Sequence, residues 1–129
     1  MAKVLLVDND ATTVSLLKIL LELDGYEVAV CRSPGEVLGK VSSEAPDVVL
    51  MDVFLTGGDG LDLLRKMRAT PGMERIPVIM TSGMELSLEC SQAGADGFLL
   101  KPYPPEQLSQ VIKKNLDHGR GADGPLATP

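Results

Sequence analysis

Tryptophan is absent, and two tyrosines and two phenylalanines are the only aromatics in 129 residues. A core must therefore be filled by Leu, Val, Ile, Met and Ala, which suits a sheet flanked by helices. Cysteine is nearly missing. Cys31 and Cys90 stand far apart and match no metal-ligand or redox spacing; they could in principle close a disulfide, but small buried thiols are the reading favoured. Positive charge is in deficit, 12 Lys and Arg against 18 Asp and Glu, for a formal net charge of -6. That balance lacks the basic footprint a phosphate backbone requires, so no direct nucleic-acid binding by this domain is expected. No apolar run approaches the ~20 residues of a membrane span. No signal peptide is expected, because Met1-Ala2-Lys3 leads straight into the run from Val4 to Asp8. The expectation is a soluble cytoplasmic protein without a membrane partner.

What is present has a clear order. Hydrophobic residues make up 44% of the chain, enough for a real core in a polypeptide of single-domain length. Short apolar runs alternate with longer amphipathic stretches. Val4-Leu5-Leu6-Val7 ends in Asp8, Asp47-Val48-Val49-Leu50-Met51 in Asp52, Pro77-Val78-Ile79-Met80 in Thr81, and Gly97-Phe98-Leu99-Leu100 in Lys101; Tyr26 to Cys31 is a fifth run. Runs without polar alternation predict strands buried on both faces, as in a parallel sheet. Helix-length segments lie between and after them, at roughly 11–24, 34–44, 58–69, 85–93 and 105–117. Asp24-Gly25 and Gly94 supply stops and Pro104-Pro105 a start. Five β-α units in series predict right-handed crossovers and helices on both sides of the sheet. Residues 1–118 then form one domain, and 119–129, rich in Gly and Pro, read as a tail or linker.

The carboxyl ends of parallel strands form one rim, where ligands bind. Asp8, Asp52, Thr81 and Lys101 are thereby predicted to meet in one cleft: two carboxylates, a hydroxyl and an ammonium. Carboxylates with a hard dication can hold a phosphoryl donor, lysine and hydroxyl can ligate phosphate oxygens, and a carboxylate can itself be the nucleophile. Singly, each has a plainer role: Asp52 a turn acid, Thr81 a helix cap, Lys101 a solvated charge, Phe98 core, and Asp10 the N-cap of Ala11-Thr12-Thr13.

The chain resembles the receiver domains of bacterial two-component response regulators over residues 3 to about 117. The likeness rests on Val4-Leu5-Leu6-Val7-Asp8-Asn9-Asp10, Asp47 to Asp52, Gly58-Asp59-Gly60, Pro77 to Gly83, and Gly94 to Pro102. It implies a flavodoxin-like (βα)5 doubly wound sandwich, its five-stranded parallel sheet in the order 2-1-3-4-5. It further implies Asp52 as phosphoacceptor, Mg2+ as cofactor, and Asp8, Asp52 and the Phe54 backbone carbonyl as metal ligands, with Asn9 as a fourth candidate. Thr81 and Lys101 would grip the acyl phosphate, Thr81 and Phe98 would act as switch residues, and Lys101-Pro102 would be a cis peptide. The implied partners are a sensor histidine kinase or histidine phosphotransfer protein, and an output domain or partner protein reading the surface of helix 4, strand 5 and helix 5. On this reading the domain is not a turnover enzyme.

Two positions depart from the family pattern. The usual second acid beside Asp8 is Asn9, and the proline often found after the phosphoacceptor is Thr56. Asn9 removes a negative charge, and Thr56 leaves the loop less rigid. Three other readings remain at this point. Asp8-Asn9-Asp10-Ala11-Thr12 also resembles the opening motif of haloacid-dehalogenase-type phosphatases, with Asp8 as nucleophile and Asp10 as general acid. A receiver fold could instead serve as a phosphorylation-independent docking module. A flavodoxin relative shares the topology, but the segment from Asp8 to Thr13 is acidic and lacks Gly. On the first predicted helix Leu16, Ile19 and Leu23 oppose Val14, Leu17 and Leu21, so a second apolar face either packs on the last helix or docks a phosphodonor.

Overall fold

The computed structural model of the chain describes residues 1–118. The elements are β1 (Lys3–Val7), α1 (Ala11–Leu23), β2 (Glu27–Cys31), α2 (Val37–Glu44), β3 (Val48–Asp52), α3 (Gly60–Ala69), β4 (Val78–Ser82), α4 (Ser87–Ala93), β5 (Gly97–Leu100) and α5 (Pro105–His118). The strands form one sheet in the order β2-β1-β3-β4-β5, and every neighbouring pair is parallel. This is the doubly wound order that the resemblance implies.

Alternating side chains explain why the strands are apolar throughout. In β1, Val4 and Leu6 join Leu17 and Leu21 of α1 and Leu108 and Ile112 of α5 in one core cluster. Leu5 and Val7 point the other way, into a cluster with Val37, Val41, Leu64 and Met67 from α2 and α3. Each sheet face therefore needs its own cover, and both strand faces must be hydrophobic. Cys31 and Cys90 are free and buried, as the composition suggests. Burial pushes the Cys90 thiol up, with the Glu89 and Glu85 charges adding to it.

Three helix starts differ from the sequence expectation. Pro34–Glu36 form a 3-10 turn, and α2 proper begins at Val37. Gly58 and Asp59 belong to a two-stranded antiparallel hairpin with Phe54 and Leu55. Asp59 then caps α3, its carboxylate accepting the Leu61 N–H at 2.9 Å. Before α4, Glu85 folds onto the Ser87 N–H at 2.8 Å, and the helix starts two residues later than predicted. Asp10 is the N-cap of α1, accepting from Thr13 N at 3.2 Å. Of the two apolar stripes on α1, Val14, Leu17 and Leu21 are buried. Leu16, Ile19 and Leu23 are 56%, 55% and 78% exposed, so the second stripe is not packed away. The predicted tail, 119–129, lies outside the described residues.

Candidate functional site

Parallel pairing brings the strand ends together. In the β3–β4 register Asp52 lies beside Thr81, and the Val53 N–H donates to the Thr81 carbonyl at 2.9 Å. Asp8 follows β1, tied by its N–H to the Cys31 carbonyl at 3.3 Å, and Lys101 follows β5, tied to the Ser82 carbonyl at 2.8 Å. The chain leaves Lys101 through a cis peptide to Pro102.

Lys101 is the cation between the two acids. Its Nζ donates to Asp52 Oδ2 at 2.9 Å and lies 3.6 Å from Asp8 Oδ2. The remaining oxygens face backbone donors: Asp8 Oδ1 accepts from Asp10 N at 2.9 Å and Asp52 Oδ1 from Phe54 N at 3.2 Å. Asp8 and Thr81 are buried and Asp52 half-buried. Burial alone would lower the Lys101 pKa, yet the hydrogen bond to Asp52 and the charges of Asp52 and Asp8 raise it above the ordinary lysine value. The lysine is therefore held charged. Two carboxylates and one ammonium leave a net negative cleft.

Tyr103 is the residue that sequence reasoning passes over. Its phenol is pushed up to about 12, first by burial and then by the charges of Asp8 and Asp52. It also lines, with Leu16, Leu17, Lys101 and Pro105, an apolar groove of about 360 Å³ between α1 and α5. An aromatic two places after Lys101 was the only available hint. Phe98 is half-buried against the α2–α4 core cluster and borders a small cavity of about 140 Å³ with Ser87, Cys90 and Ser91. Phe54 presents an exposed side chain beside the site.

Asn9, a candidate metal ligand by resemblance, is engaged with backbone. Its Oδ1 accepts the Thr56 N–H at 2.5 Å and its Nδ2 donates to the Arg32 carbonyl at 2.6 Å. Asp10 serves α1. The Thr13 hydroxyl and N–H hold its carboxyl below the usual carboxylate range, and both engage it as the cap of α1.

Among the described residues no three His, Cys, Asp or Glu side chains converge on one point. Two hard carboxylates with a net negative charge nevertheless suit magnesium, which takes few protein ligands and keeps several waters. The Asp8 and Asp52 carboxylates, both within reach of Lys101 Nζ, fit such an ion and would hold it.

Comparison with known proteins agrees with this geometry. The model for the response regulator receiver domain matches residues 4–113. The DNA-binding response regulator MtrA of Mycolicibacterium paratuberculosis is 33% identical over 120 residues, covering 88% of this chain and 51% of MtrA. The chain thus spans about half the length of the curated relatives it first matches. A response regulator receiver domain protein from Methanospirillum hungatei superposes with a TM-score of 0.81 at 36% identity, covering 91% of this chain and 94% of that one. The receiver domain of a sensor histidine kinase from Pseudomonas aeruginosa, solved with a magnesium ion coordinated in its active-site cleft, gives 0.82 at 24% identity over 90% and 98% of the two chains. No helix among the described residues is long and apolar enough to cross a membrane. Sequence match, sheet order and the carboxylate cleft agree: the chain belongs to the response regulator receiver domain family.

Proposed function

We propose that Asp52 is the phosphoacceptor of a phosphorelay and that Asp8, Asp52 and the Phe54 carbonyl hold the magnesium ion that accompanies transfer. The observation that carries this reading is the contact of Lys101 Nζ with Asp52 Oδ2 at 2.9 Å, beside Asp8. A phosphoryl group arriving on Asp52 meets a fixed ammonium. A carboxylate oxygen of Asp52 attacks phosphorus, the bond from phosphorus to the donor imidazole breaks, and the imidazole leaves to take up a proton from solvent. The donor is a sensor histidine kinase or a histidine phosphotransfer protein. When bound, the dication would supply positive charge that offsets the negative charge of the carboxylates and of the phosphoryl oxygens.

The product is an acyl phosphate, gripped by Lys101 and the Thr81 hydroxyl. Inward movement of Thr81 favours a packing in which Phe98 turns inward, changing the face formed by α4, β5 and α5 for an output domain or partner protein. This is a population shift, driven only by contacts that differ between the two forms. The domain takes part in its own phosphotransfer and turns over no external substrate.

Incubation with a small acyl phosphate and magnesium, followed by intact-mass measurement, tests the reading. One added phosphoryl group is expected, lost in Asp52→Asn. Label retained in Asp52→Asn and lost in Asp8→Asn would instead support the phosphatase reading. No label at all would leave the fold as a docking module.

A further inference from the structure

The two departures from the family pattern are 47 residues apart in sequence and meet in space. Thr56 has the backbone N–H that a proline in its place would lack, and that N–H donates to Asn9 Oδ1. Asn9 has the amide donor that an aspartate would lack, and that donor reaches the Arg32 carbonyl at 2.6 Å. Each residue makes a bond that the usual residue at its position could not make. Arg32 precedes the turn Pro34–Glu36, which also presses on the hairpin: a Cβ on Gly58 would sit 2.6 Å from Pro34 Cβ. Asn9 thus bridges the β2–α2 connection to the hairpin segment that begins at Phe54.

We propose that Asn9 is a positioning residue, acting through Thr56 to hold the segment that carries Phe54, whose carbonyl is the third magnesium ligand of the reading above, and that Asn9 and Thr56 form a matched pair. This rests on the magnesium reading above. Asn9 Oδ1 is engaged by the loop backbone. An aspartate at position 9 would keep the Thr56 bond, lose the donation to Arg32, and set a carboxylate against the Arg32 carbonyl. Its new charge would be spent partly on the loop instead of the metal. With Thr56 also replaced by proline, the carboxylate has no N–H to accept and is free for the cation.

Two measurements decide it, both on the whole chain. In the metal-free protein, Asn9→Ala should speed hydrogen exchange of the Thr56 amide by roughly three- to tenfold, the loss of one exposed hydrogen bond. Unchanged exchange would overturn the clip. In the second, magnesium is titrated by calorimetry into the parent, Asn9→Asp, Thr56→Pro and the double variant. The affinity gained through Asn9→Asp should be at least about threefold larger in the Thr56→Pro background, the same hydrogen-bond increment read as coupling. Equal gains in both backgrounds would refute the pairing, because a simple added ligand acts independently of residue 56. If Thr56→Pro does not fold, the exchange experiment still decides. If none of the four proteins binds magnesium, the metal reading fails separately while the Thr56 amide continues to report the clip.

Discussion

Gly60 stands directly behind the proposed phosphoacceptor, and replacing it by alanine tests how rigidly Asp52 is seated. Gly60 opens α3, and its N–H donates to the Val53 carbonyl at 2.8 Å. A Cβ built there falls 2.3 Å from the Asp52 carbonyl oxygen, 2.9 Å from Val53 Cα and 3.1 Å from the Asp52 carbonyl carbon. Ordinary C···O contacts begin near ~3.3 Å, so the backbone must move by about 1 Å. All three obstructing atoms are backbone, and no rotamer change relieves them. Overpacking of this kind costs ~1–3 kcal/mol, offset by about 0.4–1 kcal/mol from the reduced freedom of the unfolded chain. A net loss of roughly 1–2 kcal/mol is expected in urea unfolding.

The functional effect should be larger than the stability effect. Misplacing a reacting group by about 1 Å can lower a rate by ~100-fold, so phosphoryl incorporation from an acyl phosphate should fall by one to two orders of magnitude under conditions where the variant is still folded. Gly39→Ala is the control. It lies in α2, and a Cβ added there meets nothing within 4 Å. It should gain about 0.5–1 kcal/mol and label at the parental rate. A Gly60→Ala protein as stable as the parent and labelled as fast would show that this close approach does not seat Asp52.

Three further outcomes are open to measurement. Arg68 donates to the carbonyls of Gly94, Met73 and Ile76 and to Asp96 Oδ2 at 2.9 Å, the ion pair being 14% exposed on each side; Arg68→Ala should cost ~3–5 kcal/mol, and a loss below about 1 kcal/mol in urea would refute the network's role. The two tyrosines and absent tryptophan make alkaline absorbance titration clean: Tyr103 should ionise near 12, and later than in Asp52→Asn, which removes one of the charges opposing its ionisation. Because its folded pKa is raised from 10.0 to about 12, stability should be unaffected by this group below pH 10 and fall by ~2–3 kcal/mol across that interval, as the unfolded phenol ionises first; no fall, or a Tyr103 midpoint unmoved in Asp52→Asn, would count against the placement. Leu16, more than half exposed, should tolerate Ser within ~0.5 kcal/mol while transfer from a phosphorylated histidine donor slows; unchanged transfer would remove the α1 stripe from the docking surface.

Legibility in the sequence followed burial. Four of the five strands could be found as uninterrupted apolar runs, most fully in β1, β3 and β4, which are buried on both faces, and the polar residue closing each of the four stands out for the same reason; β2, at the sheet edge, carries exposed Glu27. Asp8, Asp52, Thr81 and Lys101 were therefore locatable before any contact was known. The hairpin Phe54–Leu55 with Gly58–Asp59 was not, because two-residue strands carry no period, and its close approach to Pro34 is visible only in the fold. Leu16, Ile19 and Leu23 were ambiguous because α1 is apolar on both faces and periodicity cannot say which face is covered. Arg68 reads as a solvated charge on an amphipathic helix; only the fold brings three carbonyls and Asp96 to it. Asn9 and Thr56 were each visible as departures, but their pairing depends on loop geometry that neither residue encodes alone.

Charge balance gives the exchange of an acid for Asn9 a physical meaning on the proposed reading. Asp8, Asp52 and Lys101 leave one net negative charge, and a magnesium ion turns this into one net positive charge. Phosphorylation converts the Asp52 carboxylate into an acyl phosphate carrying about two negative charges, and the cleft with its cation becomes close to neutral. With a third carboxylate at position 9, the metal-bound cleft would be neutral before phosphorylation and negative after it. Opposite charges a few Å apart near a protein surface interact by about 4 kcal/mol, so one unit of balance is not a small term. Asn9 therefore weakens the hold on the ion before transfer and shifts the electrostatic optimum towards the phosphorylated form. Metal affinity and phosphorylation are coupled on this reading, because binding reciprocity requires that an ion held better by the phosphorylated cleft also stabilise that phosphoryl group.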